Sequence, residues 1–419
     1  MSKLFPPASA LQAIIKEIPT PFHLYDEGML RQRARLLQKA FSWNEEYREY
    51  FAVKANPNPY LLKILQEEGV KVDCASLTEL MLSKACGFSG DEIMFSSNET
   101  PAAEYEYARS LDAIINLDDI THIDFLKEHG GIPKKICLRF NPGEAFRFGN
   151  FVMGHPEEAK YGMTGPQIYE AVEKLMKLGV ERFGLHAFLV SNALMPEYYP
   201  ELAKLLFGMV ADLSKKTGAK FFLVNLSGGI GVPYRPEETE PDVLKIGEGV
   251  RKAYEEIIVA NGLAPIRVAT ELGRWLVGPC GWLVTTAIHE KHTHREYIGV
   301  DSSSVDLMRP AMYGAYHHVS VVGKEDAPKD HIYDVVGSLC ENNDKFAIQR
   351  PLPKIEMGDL LVVYDTGAHG HAMGYNYNGK LRSAEVLLKS DGSFRMIRRR
   401  QTPADYFATL DFPPLRDVL

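Results

Sequence analysis

The sequence of 419 residues has few cysteines and no long apolar run. The five cysteines form no CxxC pair and are odd in number, which excludes a disulfide framework and a cysteine zinc site. They are Cys74, Cys86, Cys137, Cys280 and Cys340. No stretch approaches the ~20 apolar residues that cross a membrane, and the first residues contain no apolar core of signal-peptide length. We therefore expect a cytoplasmic protein that holds no metal ion.

Positive charge is also scarce. The net charge of −8 argues against binding to nucleic acid or to anionic membrane surfaces. A hydrophobic content of 45% and a charged content of 24% are those of a globular protein with an ordinary core. The chain is too long for one such core, so two domains are expected, although a single barrel domain can contain ~250 residues. These features favour a globular protein of the size of an enzyme.

Strand-like and helix-like segments alternate between residue 50 and about residue 272. The predicted strands are 50–54, 70–75, 92–97, 113–117, 134–140, 182–188, 220–226 and 266–271. Apolar residues recur at helical spacing between them, as in 60–65 and 166–175, and a helix at 29–41 precedes the first strand. Eight strand–helix units predict a closed parallel (β/α)8 barrel, with an open doubly wound sheet as the alternative.

The pattern changes after Pro279. Segments such as 297–300, 333–337 and 360–364 are strand-like and are separated by turn residues without helices between them. Residues 21–25 are expected to add a further strand to this part of the chain. The predicted division is therefore a barrel domain at 26–278 and a β-rich domain formed by 1–25 and 279–419.

Lys54 ends the first predicted strand and precedes a loop that contains two prolines. The apolar residues before it deliver its amine to the end of a buried strand. Because a desolvated ammonium has a lowered pKa, such a lysine becomes a nucleophile that forms Schiff bases with carbonyl cofactors. Alternatively, the side chain extends to solvent as an ordinary surface lysine. The residues at the other strand ends favour the interpretation of Lys54 as a nucleophile.

In a barrel the carboxyl ends of the strands meet at one mouth, where barrel enzymes place their chemistry. Polar residues occupy most of these ends here: Lys54, Asp73, Ser76, Ser97, Asn98, Arg139, Asn141, His186, Ser191, Ser227, Glu271 and Arg274. Gly228 and Gly229 follow strand seven, where barrels bind phosphate and where backbone amides without side chains approach it closely. An amine, a phosphate cradle and an acid indicate pyridoxal 5′-phosphate (PLP), with Glu271 on the pyridine nitrogen. By spacing alone, Glu271 could instead pair with Arg274.

Six motifs extend this interpretation. They are Y-F-A-V-K-A-N-P-N (50–58), N-L-S-G-G-I-G-V-P-Y (225–234), E-L-G-R (271–274), R-P-A-M-Y-G-A-Y-H (309–317), C-E-N-N-D (340–344) and N-Y-N (376–378). From about residue 20 to 390 the chain resembles the PLP-dependent decarboxylases of the alanine-racemase-type barrel fold (fold type III), and among them the diaminopimelate decarboxylases. The resemblance implies a barrel followed by a mainly β domain. The implied reaction converts meso-diaminopimelate into L-lysine and CO2.

The resemblance also implies roles for individual residues. The implied cofactor-binding residues are Lys54, His186, Phe188, Ser191, Gly228, Gly229, Glu271, Gly273, Arg274 and Tyr377. The implied substrate-binding residues are Arg274, Arg309, Tyr313, Glu341 and Tyr377. Lys54 would carry the cofactor and Glu271 would act on its ring nitrogen. Cys340 would be catalytic and, with Glu341, would enter the active site of a neighbouring subunit, which implies a homodimer.

The chain departs from this family at residue 188. The family has a ring-stacking histidine where this chain has Phe188, and a phenyl ring can stack but cannot donate a hydrogen bond. One alternative is a decarboxylase for ornithine, a D-amino acid or a carboxylated polyamine, although Arg309 and Tyr313 favour a substrate with a distal carboxylate. Another is an amino-acid racemase, but racemases tend to place arginine where Glu271 stands. A third is a non-catalytic PLP carrier, which leaves the β-rich domain unexplained.

Overall fold

The computed structural model describes residues 5–146 and 155–417. The chain divides into two compact units, which we name by their content. The barrel unit consists of Arg31–Val232 and Glu240–Leu276. The β-rich unit consists of Met1–Leu30, Pro233–Thr239 and Val277–Leu419.

The strands of the described residues alternate with helices in the first two thirds of the chain and follow one another afterwards. In chain order the strands are β1 (Phe22–Asp26), β2 (Arg48–Ala52), β3 (Lys71–Cys74), β4 (Ile93–Phe95), β5 (Ile114–Leu117), β6 (Lys135–Arg139), β7 (Arg182–His186), β8 (Phe221–Asn225), β9 (Arg267–Thr270), β10 (Gly281–His292), β11 (Glu296–Val300), β12 (Val319–Val321), β13 (His331–Val336), β14 (Lys345–Leu352), β15 (Leu360–Val363), β16 (Ala384–Leu388) and β17 (Phe394–Arg398). The helices are α1 (Ala8–Glu17), α2 (Glu27–Ala40), α3 (Pro59–Glu67), α4 (Leu77–Ala85), α5 (Ala102–Ser110), α6 (His122–His129), α7 (Gly165–Lys177), α8 (Tyr198–Thr217), α9 (Val243–Tyr254), α10 (Gly273–Val277), α11 (Arg309–Tyr313) and α12 (Pro403–Phe407).

Local sequence explains where the barrel helices begin. The side chain of Asn58 accepts a hydrogen bond from the backbone N–H of Tyr60 (3.1 Å), and Pro59 occupies the first position of α3, where no backbone donor is required. The helix then buries the apolar residues that sequence periodicity predicted, which are Leu61, Leu62, Ile64 and Leu65. At α7 a reciprocal pair, Thr164 and Gln167, satisfies the first backbone donors. Capping residues at the ends of the loops therefore fix where these two helices begin.

The barrel unit contains the closed parallel barrel that the sequence predicted, with the eight strands β2 to β9 in sequence order. Each predicted strand is found within two residues of its expected bounds. Closure is made by β2 and β9, through Arg48 opposite Ala269 and Glu49 opposite Thr270. Buried residues from several strands pack together inside it: Tyr50, Met94, Ile114, Cys137, Phe222, Leu223 and Ala269. The open-sheet alternative is therefore excluded.

The β-rich unit is built on a mixed sheet with the order β14-β13-β11-β10-β1-β16-β17, in which β15 pairs with β10 and β12. The predicted N-terminal strand is confirmed as β1, which pairs antiparallel with β10 and parallel with β16. The mainly β character predicted after Pro279 is confirmed as well. Within the described ranges, the helices all fall short of the length and apolarity that a bilayer span requires.

A buried carboxyl group strengthens the closing ladder of the barrel. Glu49 is fully buried in β2, where one carboxylate oxygen accepts the backbone N–H of Leu272 (2.6 Å) and the other accepts the hydroxyl of Thr270. Burial raises the pKa of Glu49 to about 8, although these two hydrogen bonds oppose the shift. The same Thr270 hydroxyl lies 2.6 Å from the hydroxyl of Tyr47.

The raised pKa of Glu49 predicts a loss of stability with rising pH. In the unfolded chain this carboxyl ionises near pH 4.5, whereas in the folded barrel it ionises near pH 8. Its contribution to the free energy of unfolding is therefore complete below pH 4.5 and declines as the pH rises through 8. Urea unfolding at pH 5 and pH 8 should show a smaller decline for Glu49→Gln than for the wild type. Glu46→Gln, at an exposed neighbouring position, is the control; an equal effect there would contradict the assignment.

Candidate active site

The sequence predicted that Lys54 ends a buried strand. In the structure Lys54 lies beyond the strand and is exposed. β2 stops at Ala52, and Lys54 is the middle residue of the short 3-10 turn Val53–Ala55. The turn arises because the asparagine- and proline-rich loop draws the chain out of the ladder before the lysine. The amine lies 5.0 Å from the centre of the Phe188 ring. The prediction that this amine is delivered to a buried strand end is therefore wrong.

Glu271 follows β9 directly and is buried. One carboxylate oxygen accepts the side-chain amide of Asn225 (2.7 Å), and the other accepts the hydroxyl of Ser227 (3.1 Å). The second oxygen also lies 3.5 Å from Nε2 of His186. The alternative that Glu271 pairs with Arg274 is not what the structure shows, because the guanidinium of Arg274 donates to the hydroxyl of Ser191 (3.1 Å).

The surroundings of Glu271 keep its carboxylate ionised. Burial alone would raise its pKa, but the nearby imidazole of His186, followed by the charges of Lys54 and Arg139, outweighs burial and lowers the pKa to about 2. Asp73, on β3, behaves in the opposite way, because burial and the negative charge of Glu271 raise its pKa far above the usual range. The barrel mouth therefore holds one firmly ionised carboxylate beside one that favours its proton.

His186 ends β7 and is oriented by a polar residue that sequence reasoning did not select. The amide nitrogen of Asn116 lies 3.1 Å from Nδ1 of His186 and 3.2 Å from the hydroxyl of Ser96. An amide nitrogen donates, so Nδ1 accepts and Nε2 carries the proton toward Glu271. Burial lowers the pKa of His186, while the Glu271 carboxylate opposes this shift. Phe188, two residues on, packs edge-on against Tyr161 with ring centres 5.6 Å apart.

The glycine turn after β8 can take no side chain. A Cβ on Gly228 would lie 2.8 Å from the backbone oxygen of Glu271, and one on Gly229 would lie 3.0 Å from the backbone oxygen of Val190. Gly229 also has φ +124°, a conformation that other residues rarely adopt. The neighbouring loop is held against this turn, because the N–H of Ala193 donates to the oxygen of Gly229 (2.7 Å). The turn therefore presents bare backbone, as an anion cradle requires.

Gly273 brings the turn after β9 close to the end of β2. A Cβ at this position would lie 2.8 Å from Cβ of Ala55 and 3.3 Å from Cβ of Ala52. The residue next to it, Arg274, reaches Ser191 through the hydrogen bond described above. The predicted phosphate-binding residues Ser191, Gly273 and Arg274 are thus connected within the barrel unit.

Arg309 and Tyr313 belong to the β-rich unit, where both lie on the short helix α11. Arg309 is buried, and its guanidinium lies 4.6 Å from the centre of the Tyr234 ring. It also donates to Nε2 of His317 (2.9 Å), whose Nδ1 lies 2.7 Å from the backbone oxygen of Tyr364. This arrangement fixes the guanidinium before any ligand is present, which suits a residue that reads a carboxylate.

The remaining predicted residues lie together on two loops of the β-rich unit. The thiol of Cys340 is 3.2 Å from the hydroxyl of Tyr377, and the backbone N–H of Cys340 donates to the side chain of Asn378 (2.8 Å). Cys340, Glu341 and Tyr377 are all exposed. The other four cysteines are buried, and all five are free thiols. The structure therefore brings the thiol, Glu341 and the phenol to one exposed edge of this unit.

Sequence reasoning missed several residues of the barrel site, notably Asn116, Asn225 and Glu49. A signal for Asn116 was present, because it interrupts an apolar strand (Ile114, Ile115, Leu117) and a buried polar group needs a partner. Asn225 stands in the quoted N-L-S-G-G motif and faces Glu271. Neither residue is of a catalytic type. Their role is to orient the residues that are.

The barrel mouth combines an accessible amine, a buried ionised carboxylate and a backbone cradle for an anion. An amine of this kind attacks carbonyl groups, and a fixed carboxylate holds a proton on a basic ring nitrogen. The buried Nε2 of His186 and one carboxylate oxygen of Asp73 make no hydrogen bond within the described residues. Such polar atoms are expected where a ligand supplies their partners.

Comparisons with known proteins support this chemistry. A sequence profile of the family "Pyridoxal-dependent decarboxylase, pyridoxal binding domain" matches residues 27–278. The chain is 36% identical to Protein TabA of Pseudomonas amygdali pv. tabaci, over 99% of this chain and 96% of that protein. It is 32% identical to the diaminopimelate decarboxylase of Methanothermobacter thermautotrophicus, over 95% of this chain and 93% of the relative.

Solved structures give the same result. The fold is similar to that of diaminopimelate decarboxylase from M. jannaschii in co-complex with L-lysine, with a TM-score of 0.85 and 27% sequence identity. The match covers 96% of this chain and 94% of that one. Likeness over nearly the whole of both chains includes the β-rich part as well as the barrel.

The close approach at Gly228 predicts that this turn is intolerant of a methyl group. Gly228→Ala should lower the free energy of unfolding by about 1–3 kcal/mol, because the backbone of Glu271 must move to admit the Cβ. Gly208→Ala is the matched control, since nothing lies within 4 Å of a Cβ there in helix α8. That substitution should raise the free energy of unfolding by up to about 1 kcal/mol. Urea denaturation of both variants tests the contrast, and equal effects would refute it.

Proposed function

The chain belongs to the pyridoxal-dependent decarboxylases, and from this premise we propose that it converts meso-diaminopimelate into L-lysine and CO2. The cofactor of the family is pyridoxal 5′-phosphate. The observation that carries the proposal is the buried, ionised Glu271 in the same barrel mouth as the amine of Lys54. A location in the cytoplasm, predicted from the cysteine pattern, remains part of the proposal.

The residues present fit this cofactor. The turn at Gly228 and Gly229 offers bare backbone to a phosphate, and Ser191 and Arg274 add a hydroxyl and a guanidinium. Lys54 would form the covalent link, because its amine is accessible. When bound, pyridoxal phosphate supplies an electron sink for the pair released as a bond at the α-carbon breaks.

The protein residues determine which bond breaks and where protons go. Glu271, with its pKa near 2, would keep the proton of the ring nitrogen in place, since a carboxylate attracts that charge. In the reaction the bond between Cα and the carboxylate carbon breaks, CO2 leaves, and a proton takes its place on Cα. Lys54 and Cys340 are the candidate donors of that proton.

Glu271 also distinguishes the proposal from racemisation. Racemases of this fold tend to place an arginine at the ring nitrogen, which leaves that nitrogen unprotonated. Here the partner is an anion held by Asn225 and Ser227. Phe188 stands where a second imidazole was expected, so His186 provides the imidazole on this side of the barrel.

Arg309 supports a substrate with a distal carboxylate. It is a buried guanidinium held by the ring of Tyr234 and by His317, and a fixed arginine matches a carboxylate in both geometry and charge. Tyr313 lies on the same helix, and its hydroxyl can donate to the same group. Among amino acids, meso-diaminopimelate meets this requirement, whereas lysine and ornithine lack the second carboxylate.

The proposal predicts a narrow substrate range. Purified holoenzyme should release CO2 and L-lysine from meso-diaminopimelate at least about a hundredfold faster than CO2 from lysine, ornithine or arginine, since two charge-assisted hydrogen bonds are lost with those substrates. Arg309→Met should raise KM by a similar factor, whereas Arg395→Met, an exposed arginine of the same unit, should not change it. Faster release of CO2 from a substrate without the distal carboxylate would overturn the assignment.

We propose further that the β-rich domain, residues 1–25 and 279–419, completes the active site of a second copy in a homodimer. Cys340, Glu341 and Tyr377 are exposed on its surface, as residues that reach a second chain must be. A symmetric dimer would then contain two equivalent shared sites.

Mixing two inactive variants tests the shared site. Lys54→Ala and Cys340→Ala should each be inactive alone, but a mixed dimer would contain one intact site of two. Since half of the dimers are mixed after full exchange, activity should recover to roughly a quarter of the wild-type value. Exchange is checked independently with a size or affinity tag on one variant. If exchange is complete and activity stays at the level of the parents, Cys340 acts within its own chain.

A further inference from the structure

The β-rich unit contains a cavity of about 300 Å³ that none of the proposed catalytic residues lines. Its buried or half-buried side consists of His371, Arg382, Ser383 and Gln401, and its exposed side includes Arg398 and Arg399. The volume is at the lower end of the range for small-molecule sites in proteins. A cavity of this size admits a phosphate or a small dicarboxylate.

Arginines dominate the lining, with Asp405 as their acidic counterpart. Arg399 forms a bidentate ion pair with Asp405. Arg398 uses Nε to bind the buried carboxylate of Glu385, which leaves its two terminal nitrogens for other partners. Arginine forks of this kind recognise carboxylates and phosphates.

Arg382 is the cation whose charge is least balanced. Its terminal nitrogen donates to Nδ1 of His371 (2.8 Å) and to the backbone oxygen of His371, which are neutral acceptors. Its Nε is buried and makes no hydrogen bond within the described part of the chain. Glu385 and Asp306 attract this guanidinium through space, without a hydrogen bond to it among the described residues. A half-buried arginine with a buried, unpartnered Nε is costly unless an anion completes its partners.

Gln401 adds a donor, and neither Gln401 nor the neutral ring of His371 adds negative charge. Burial lowers the pKa of His371 to about 3, so the ring is neutral, accepts from Arg382 at Nδ1 and lies 3.3 Å from the oxygen of Ser383 at Nε2. The side-chain oxygen of Gln401 already accepts from Asn376 (2.9 Å) and from the N–H of Arg382 (3.0 Å). Its amide nitrogen is therefore a further donor in the lining.

From this surplus of donors and positive charge, we propose that the cavity is a binding site for a small oxyanion, either a phosphate or a carboxylate. The oxyanion accepts hydrogen bonds from Arg382 and Gln401 on the buried side and from Arg398 and Arg399 on the exposed side. The site is separate from the proposed catalytic residues and does not depend on the identity of the decarboxylase substrate. Gln401 also accepts a hydrogen bond from Asn376, the residue before Tyr377. An anion in the cavity therefore contacts a residue that supports the loop carrying Tyr377.

Calorimetric titration of the holoenzyme with inorganic phosphate and, separately, with succinate tests the site. At least one of these two probes should bind with a stoichiometry of one per chain and a Kd on the order of 1 mM or lower. Comparison of the two titrations tells whether phosphate or carboxylate is preferred. Cofactor absorbance is followed throughout, because binding that occurs only as the cofactor is lost would place phosphate in the cofactor cradle and overturn the proposal.

Matched variants locate the binding. Arg399→Gln, at an exposed position, and Arg382→Lys, which keeps the charge but removes Nε, should each weaken binding about tenfold. Arg395→Gln lies on the same strand β17 but outside the lining, so it should leave the affinity unchanged. If Arg382→Lys does not fold, the anion affinity of Arg399→Gln alone tests the proposal. The absence of heat with both anions up to about 10 mM, or equal weakening in Arg395→Gln, would overturn the proposal.

Discussion

The candidate site depends on the closure of the barrel between its first and last strands. β2 and β9 pair through Arg48 with Ala269 and Glu49 with Thr270, and the carboxyl group of Glu49 extends this short ladder to the N–H of Leu272. Lys54 and Glu271, which are far apart in sequence, thereby leave neighbouring strands at the same end of the barrel. The positive charge of Lys54 then helps to lower the pKa of Glu271. Without closure the amine and the acid would belong to opposite edges of an open sheet.

Three buried carboxyl groups of the barrel, those of Glu49, Asp73 and Glu271, have different protonation tendencies. Burial raises the pKa of Glu49 to about 8 and that of Asp73 far above its usual range. Glu271 has a pKa near 2, because the nearby imidazole of His186 and the positive charges of Lys54 and Arg139 outweigh the effect of burial. Such separation of similar groups is typical of active sites, where each carboxyl group has one task. The ionised member is the one that the proposed chemistry requires.

The β-rich unit uses buried polar contacts to support loops. Ser304 donates from both its N–H and its hydroxyl to one oxygen of Asp344 (2.7 Å each). The other oxygen of Asp344 accepts the N–H of Leu339 (2.8 Å), next to Cys340. Ser304 and Asp344 therefore hold the loop that carries the Cys340 thiol. This support explains how an exposed cysteine and Tyr377 keep a defined spacing.

Sequence by itself determined the alternation of strands and helices, the change to β structure after Pro279, and the polar residues that follow each strand. These features depend on local periodicity and on proline and glycine positions, which act over a few residues. Glu271, His186 and the glycine pair could be selected for the same reason, because they stand at predictable strand ends.

Only the tertiary structure decided the exposure of Lys54, the contact of Glu271 with Asn225 and not with Arg274, and the part played by Asn116 and Glu49. It alone also gathered Arg382, Arg398 and Arg399 around one cavity. Hydrogen-bond partners and pKa shifts arise from groups on different strands, and their distances are set by barrel closure and sheet register. A linear pattern contains the residues but not the distances between them.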